Sequence, residues 1–461
     1  MLRRKNRYNN GQNNGHGNTT GFITSKRLTA IILASGLFAL SGCGIVSDDG
    51  IPFTKPNIQT EQVVGSMEEA PVLEYEMPEM TPSIVTGEGG FSELEVKYAW
   101  IKCKEVPELF MVRDTLTGEN VYIGRPEEVK PLEDSDGYKA KISFAPVSED
   151  GTYYLTADGL GCSYEFTVSS SLYEDRYWEF MEKECEKCRS GEASSAEVYM
   201  CLYAYERYKE VLFELKEDAP DVMGAVGEWI GSADLDGATG EDHFLKMAIL
   251  AKYGHNLIKK DEKAALECIG KAAALSAKNE KASDDDTIKA SFLAYTELYR
   301  STGQNDYSKK ILDMKEYLEE CENLHDSKYI LYGSMAYMTT KYWVDRSLCD
   351  MLIEKLLYRA RDIGDDTKVT DPENATYEDT KDFLICAQQL AVMNYVLDGY
   401  EYNEIIMDLL HYIRGRNFQG NSCDIEEDYP ADAIAIYSWV AWLEKNGKLD
   451  PAAPVVWNYS W

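Results

Sequence analysis

The sequence predicts a mainly α-helical protein with a small all-β unit ahead of its helices. Three observations carry this. From Ser171 onward apolar residues recur at spacings of three and four, as in Phe244, Met247, Ala248, Leu250 and Ala251. Residues 82–170 instead hold short runs in which apolar and polar residues alternate, broken by turn residues about every ten positions. With 461 residues, 44% of them hydrophobic, the chain is long and apolar enough for more than one folded unit.

The first segment reads as an address. Six basic side chains (Arg3, Arg4, Lys5, Arg7, Lys26, Arg27) and no acid precede the uncharged apolar stretch Leu28–Leu40, which ends in Leu40-Ser41-Gly42-Cys43. A basic region, a short apolar region and small residues make a secretory signal over residues 1–42, and the stretch falls short of the ~20 apolar residues a membrane span needs. LSGC resembles the bacterial lipobox, which implies lipidation of Cys43 and an exported protein anchored at the outer face of the cytoplasmic membrane or the cell surface. Residues 43–81 follow as an acidic tether containing Pro52, Pro56, Pro71 and Pro78. At about 3.3 Å per residue it can hold the folded part up to ~120 Å from its anchor.

In the β unit the runs Leu94–Tyr98, Lys139–Phe144, Tyr153–Thr156 and Tyr164–Val168 are separated by Thr117-Gly118, Asp136-Gly137 and Asp150-Gly151. Strands of this length and spacing predict a β-sandwich. Twelve helices are then expected, near 172–187, 194–215, 219–231, 241–257, 261–279, 285–302, 306–321, 329–341, 346–363, 376–398, 402–415 and 430–446. Gly254, Gly303, Gly364, Gly399, Gly415 and Gly420 punctuate them. No fixed repeat length appears, which argues against a regular solenoid. Periodicity leaves a bundle, a solenoid and a closed double ring all open.

Composition excludes several functions. The formal charge of −33, from 47 Lys and Arg against 80 Asp and Glu, argues against nucleic-acid binding, which needs dense cationic side chains. No phosphate-binding loop, dinucleotide fingerprint or zinc-protease motif is present. The 11 cysteines are scattered; Cys201, Cys268, Cys349 and Cys386 fall on apolar helical positions, Cys103 and Cys162 form a candidate disulfide pair, and Cys185-x-x-Cys188 is half a zinc motif without a second half. No cofactor is expected. Asp234-x-Asp236-Gly237 and Asp284-Asp285-Asp286 offer hard oxygens to calcium, but neither follows a full binding-loop pattern.

A series of motifs then occurs in a telling order: Pro82–Val85, Phe110-Met111-Val112, Gly151-Thr152-Tyr153-Tyr154, Ser163–Phe166, Pro220-Asp221-Val222 with Gly227-Glu228-Trp229, Asp234–Gly237, Tyr332–Tyr337, and His411-Tyr412-Ile413-Arg414-Gly415-Arg416-Asn417-Phe418-Gln419-Gly420-Asn421-Ser422. Across roughly residues 82–446 this resembles glycoside hydrolase family 9, the cellulase family, with its N-terminal immunoglobulin-like domain; the last motif is similar to the family's HYLLGRNPLGxS. The resemblance implies a sandwich over 82–170 and an (α/α)6 barrel of two concentric helical rings over 171–461.

The resemblance weakens where the chemistry would sit. Inverting hydrolysis needs two carboxyl groups about 6.5–9.5 Å apart. The family's base comes from a WHDAGD-type loop between the first two helices, where this chain has only Arg189–Ser195 and no Asp. Its acid is a Glu at the start of the last helix, where alignment through Ile434-Ala435-Ile436-Tyr437 places Ala433. Nor is there a counterpart of the family's His-His-Arg segment. No catalytic residue is therefore assigned; Glu427, Asp428 and Asp432 are the nearest carboxylates, and a solvated acidic loop accounts for them equally. Tyr429, Tyr437, Trp439 and Trp442 are the candidates for stacking on sugar rings at the barrel mouth, against the alternative of core packing. The expectation is a surface lipoprotein on a cellulase-like scaffold that has lost catalysis and binds polysaccharide, such as a β-glucan, or a partner in a degrading system. An active inverting endo-β-1,4-glucanase with relocated acids and a structural or adhesion spacer are the alternatives. The spacer reading requires a filled barrel mouth.

Overall fold

The computed structural model describes residues 73–450 apart from 134, 279, 366–369, 374–379 and 398. The leader, Cys43, most of the tether and the aromatic tail Pro454–Trp461 lie outside the described residues.

The β unit has ten strands in two sheets. One runs β1 (Ile84–Val85), β3 (Tyr98–Cys103), β7 (Tyr138–Ser143), β6 (Glu127–Pro131). The other runs β2 (Phe91–Ser92), β10 (Phe166–Ser169), β8 (Gly151–Ala157), β4 (Phe110–Asp114), β5 (Asn120–Gly124), with β9 (Gly161–Cys162) on β8. Alternation puts Ala99 and Ile101 inward against Phe110, Val112, Ala140, Ile142, Leu155 and Phe166, the dry core of an immunoglobulin-like sandwich. The described end of the tether lies along it: the Tyr154 hydroxyl donates to the Leu73 carbonyl and the Tyr75 ring packs on Tyr154 at 5.0 Å.

Alternation over Leu94–Tyr98 predicts a strand, but β3 begins only at Tyr98. The preceding turn is held by side chains instead. Glu95 accepts from the Ser92 amide at 2.6 Å, and the fully buried Lys97 ammonium donates to the carbonyls of Ser92, Glu93 and Glu95 at 2.7–3.3 Å. The candidate disulfide is also absent. Cys103 and Cys162 belong to different sheets, both thiols are free, and each donates to a carbonyl (Tyr138 and Glu76).

The helices are α1 (Leu172–Ser190), α2 (Ser195–Tyr208), α3 (Val222–Ser232), α4 (Gly240–Leu257), α5 (Glu262–Ala277), α6 (Asp285–Thr302), α7 (Asn305–Asp313), α8 (Lys315–Glu320), α9 (Lys328–Met338), α10 (Arg346–Asp365), α11 (Thr380–Leu397), α12 (Asn403–Ile413), α13 (Ile425–Asp428) and α14 (Pro430–Lys445). The single segment expected over 306–321 is broken at Met314, and a π-helical turn, Lys209–Phe213, extends α2. Local chemistry sets many of the ends. Ser194 and Glu197 form a capping box on α2, Asp221, Asp261 and Asp284 cap α3, α5 and α6, and Gly191 and Gly303 end α1 and α6 in the left-handed region.

Six helices form an inner ring: α2 packs on α4, α4 on α6, α6 on α9, α9 on α11, α11 on α14, and α14 back on α2. The others form an outer layer, with α1 on α14, α5 on α4 and α12 on α11. This closed double ring is the (α/α)6 barrel. The inner helices approach closely: a Cβ on Gly333 of α9 would lie 2.7 Å from the Phe292 ring of α6.

The motif following α12 joins the two units. His411 Nε2 lies 3.0 Å from the Glu95 carboxylate, and the His411 ring stacks on Phe91 with centroids 4.6 Å apart. The Arg416 guanidinium donates to Asp408 at 2.8 Å and lies 3.9 Å from the Tyr98 ring, whose hydroxyl also donates to Asp408. The Glu88 amide donates to the Arg414 carbonyl at 2.7 Å, and Asn417 bonds the Asn421 backbone to close the turn after Gly415. Lys139 of β7 adds an ion pair with Asp371 at 2.6 Å.

Candidate functional site

Contacts between Ser195 and Asp242, Tyr329 and Glu241, and Lys328 and Asp432 gather the first turns of α2, α4, α9 and α14 at one end of the ring, its mouth. Asp432, in the first turn of α14, is nearly buried. Its carboxylate accepts from the Gln388 amide of α11 at 2.8 Å and pairs with the Lys328 ammonium of α9 at 3.4 Å. Gln388 is held in turn by the Tyr332 hydroxyl, which donates to its carbonyl oxygen at 2.6 Å. Across the mouth, the Tyr329 hydroxyl donates to Glu241 in the first turn of α4.

Below these groups the inner helices bury large side chains against one another. Only about 10 Å³ remains among Tyr199, Met200, Leu245, Leu293, Tyr329 and Tyr332, at or below the space one water needs. The Tyr203 and Tyr332 rings meet at 4.5 Å. Deeper, Lys252 pairs with Glu297 at 2.9 Å and Glu206 at 2.7 Å, Arg300 pairs with both acids, and the Tyr199 hydroxyl donates to Glu297 at 2.8 Å. Charge in this network is matched by charge, which buried ions require.

The sequence-derived candidates do not converge. Asp432 reaches the mouth, but donors occupy both of its oxygens. Glu427 and Asp428 of α13 are exposed; Asp428 accepts from the Cys423 thiol at 3.4 Å, and the neighbouring Glu426 pairs with Arg414 at 3.0 Å. Ala433, which the sequence alignment set against the acid of the resembled enzymes, is fully buried.

The aromatic candidates are corrected more sharply. Tyr437 and Trp439 are 1% and 3% exposed, so neither ring offers a face to a sugar. Tyr437 packs edge-on against Phe180 and its hydroxyl accepts from Arg414. Trp439 and Trp442 also lie away from the mouth: nine and twelve residues into α14 at 1.5 Å per residue puts them roughly 14–18 Å down the barrel. There Trp442, half-buried, stacks on Trp439 at 5.2 Å and on Tyr400 at 6.3 Å. Tyr429 is half-buried at the start of α14.

The metal-type motifs are occupied by protein partners. Asp234 accepts from the Gly237 amide, Asp236 pairs with Lys278 at 2.9 Å, Asp284 caps α6 and Asp285 pairs with Lys289 at 2.5 Å. Cys185 and Cys188 are buried in the helical core, where burial pushes the Cys185 thiol up to about 12. Among the described residues no three His, Cys, Asp or Glu side chains converge as a metal site. His325, buried at the mouth side of α9, is pushed down to about 3 by loss of solvation and stays neutral.

A second cavity, of about 550 Å³, opens at the rim beside the short α1–α2 link, between that link, the end of α3 and the start of α4. Trp229, Asp234 and Asp242 are among its lining residues. Sequence reasoning did not find Lys328, Gln388, Tyr332 or Asp242. All four sit on inner helices, Lys328 and Asp242 in first turns and Tyr332 and Gln388 further along, a grouping that becomes legible only once the ring is known.

No protein-family model matches the sequence, and no curated protein matches it. Solved structures do. A metagenome-derived glycoside hydrolase family 9 endoglucanase superposes with a TM-score of 0.58 at 16% identity, covering 74% of this chain and 84% of that one. A Bacteroides ovatus family 9 protein gives 0.56 at 14% identity, covering 80% and 98%. AaCel9A, solved with a cellobiose-like isofagomine, gives 0.54 at 15% identity over 73% and 83%. At such identities the likeness defines the fold: an immunoglobulin-like β domain followed by an (α/α)6 barrel, as in family 9 endoglucanases.

Proposed function

We propose that this protein is an exported, lipid-anchored lipoprotein that uses a cellulase-like scaffold without hydrolysis, acting in the binding of polysaccharide of the β-glucan type. One observation carries the non-hydrolytic half: Asp432, the near-buried carboxylate in the first turn of α14, is pinned by Gln388 and Lys328, and the cavity below it among Tyr199, Tyr329 and Tyr332 is only about 10 Å³. A general acid must offer a proton to the glycosidic oxygen, whereas both oxygens of Asp432 already face protein donors. Without a base-bearing loop between α1 and α2, an attacking water has no partner either. The binding half rests on the likeness to endoglucanases and on the lipobox-like LSGC, which would place the scaffold where extracellular polysaccharide is met.

A second reading, a spacer or adhesion module, is favoured by the burial of Tyr437 and Trp439 and by the filled ring. Prolonged incubation with cellohexaose and mixed-linkage β-glucan, followed by mass spectrometry of products and by co-sedimentation with insoluble glucan, separates the three. Retention without cleavage is the expected result. Cleavage abolished by Asp432→Asn would restore the enzyme reading, and neither cleavage nor retention would leave the spacer.

A further inference from the structure

The described end of the tether is fastened to the sandwich residue by residue. The Leu73 amide donates to the Gly118 carbonyl at 3.3 Å, and the same carbonyl accepts from buried Arg113 at 2.9 Å. The Tyr154 hydroxyl donates to the Leu73 carbonyl at 2.5 Å. Beside it the Tyr75 ring lies 5.0 Å from the Tyr154 ring, and the Tyr75 hydroxyl accepts from the Glu165 amide at 3.1 Å. The Cys162 thiol completes the row by donating to the Glu76 carbonyl at 3.2 Å. Four residues thus cross the β4–β5 turn, β8, β9 and the link that follows β9. The chain is held again at Thr81, which packs on Gly420 so closely that a Cβ there would lie 2.6 Å from it. Between the two fastenings Met77 and Met80 are 73% and 81% exposed.

The fastening is thin. Tyr75 lays its ring on the sandwich, but Leu73 stays 44% exposed. Four hydrogen bonds, one of them from a weakly donating thiol, are set against the entropy of ordering four backbone residues, and the two quantities are of similar size. The sandwich beneath does not depend on the segment for its own shape. Arg113 fixes the Gly118 carbonyl, and Ser163 ties the link after β9 to Leu155 of β8 through its amide and its hydroxyl, both at 2.9 Å. Release therefore costs little and leaves the sheets intact.

We propose that Leu73–Glu76 is a releasable clip, closed in this structure, whose opening lengthens the tether without unfolding the sandwich. Opening frees residues 73–80, up to about 26 Å of extended chain at roughly 3.3 Å per residue. The consequence for reach above a surface rests on the reading of Cys43 as a lipid anchor, whereas the clip itself does not.

Because Glu76 engages Cys162, that thiol reports the state of the clip. Labelling of the intact native protein with N-ethylmaleimide, followed cysteine by cysteine by mass spectrometry, tests it. Cys162 should react at least about tenfold faster than the fully buried Cys201, whose exposure requires the helical core to open. Tyr75→Ala should speed Cys162 labelling by about tenfold at an unchanged thermal midpoint, and Tyr75→Phe, which loses only the acceptor for the Glu165 amide, by about threefold. Leu116→Ala, at an exposed side chain on the neighbouring turn, should leave the rate unchanged. Labelling of Cys162 in step with Cys201 overturns the proposal, since opening would then be unfolding. A Cys162 rate that both Tyr75 variants leave unchanged overturns it as well, since Tyr75 would then hold nothing. An unmodified Cys43 in the exported protein overturns the consequence for reach alone.

Discussion

The junction between sandwich and barrel and the mouth of the barrel both contain segments that resemble the same enzymes, yet the two regions differ in what they keep. At the junction His411, Arg414, Arg416 and Asn417 all have partners of matching chemistry, from Glu95 and Tyr98 on one side to Asp408 and Glu426 on the other. At the mouth Asp432 is tied to Gln388 and Lys328, Ala433 beside it is buried, and Tyr199, Tyr329 and Tyr332 close in on about 10 Å³. The contrast teaches that the recognisable motif here is structural. Its arginines hold two units together, and such a role persists without any requirement for catalysis.

The comparison breaks most visibly at Arg416. Its guanidinium is 1% exposed, and Arg416→Ala would leave the Asp408 charge without its cation and the Tyr98 ring without the guanidinium packed on it. A loss of about 3 kcal/mol in chemical denaturation is expected, toward the low end for a buried pair because Asp408 keeps some contact with water. A loss below ~1 kcal/mol would mean the junction is not the anchor described.

A somewhat smaller effect is expected from Glu444, which reaches from α14 into the same junction. One of its oxygens accepts from the amides of Tyr173 and Glu174 at 2.9 and 2.7 Å, capping α1 from outside. Burial, with Glu95 nearby, pushes its pKa up to about 7 despite the hydrogen bonds that favour its charged form. Between the ordinary Glu value and 7 the folded chain holds a proton that the unfolded chain has released, so stability falls as pH rises through that window. Below the window the contribution is complete; above it about 2–3 kcal/mol is lost. Glu444→Gln keeps an acceptor for both amides and should flatten this slope in thermal midpoints measured from about pH 4 to about pH 9. Parallel curves for the two proteins would sink the assignment.

The smallest effect should come from the mouth. Asp432→Asn gives up a partly exposed pair with Lys328 at 3.4 Å and keeps an acceptor for Gln388. Its cost should be about 1 kcal/mol or less in urea unfolding, with no change in glucan retention. A loss of several kcal/mol would make the mouth as tightly built as the junction and erase the contrast.

Much of the fold was legible in the sequence because its signals are local. Helix ends at Ser194, Asp221, Asp284 and Gly303 follow from capping chemistry that a few neighbouring residues contain. Strands β7, β8 and β10 follow from alternation. The turn at 92–97 was not legible, since its buried Lys97 satisfies carbonyls and imitates a strand only in its pattern. The roles of Tyr437, Trp439 and Trp442 could not be read either: an aromatic on a helix looks the same whether it faces a sugar or the core.

The sequence by itself determined the order of the units and most of their secondary structure, because periodicity and capping act over short spans. Only the tertiary structure decided that the ring is filled, that Asp432 is tied to Gln388 and Lys328, and that an open cavity lies at the rim beside the α1–α2 link. Those facts depend on side chains far apart in the chain meeting in space, and the pattern of any one segment does not record such meetings.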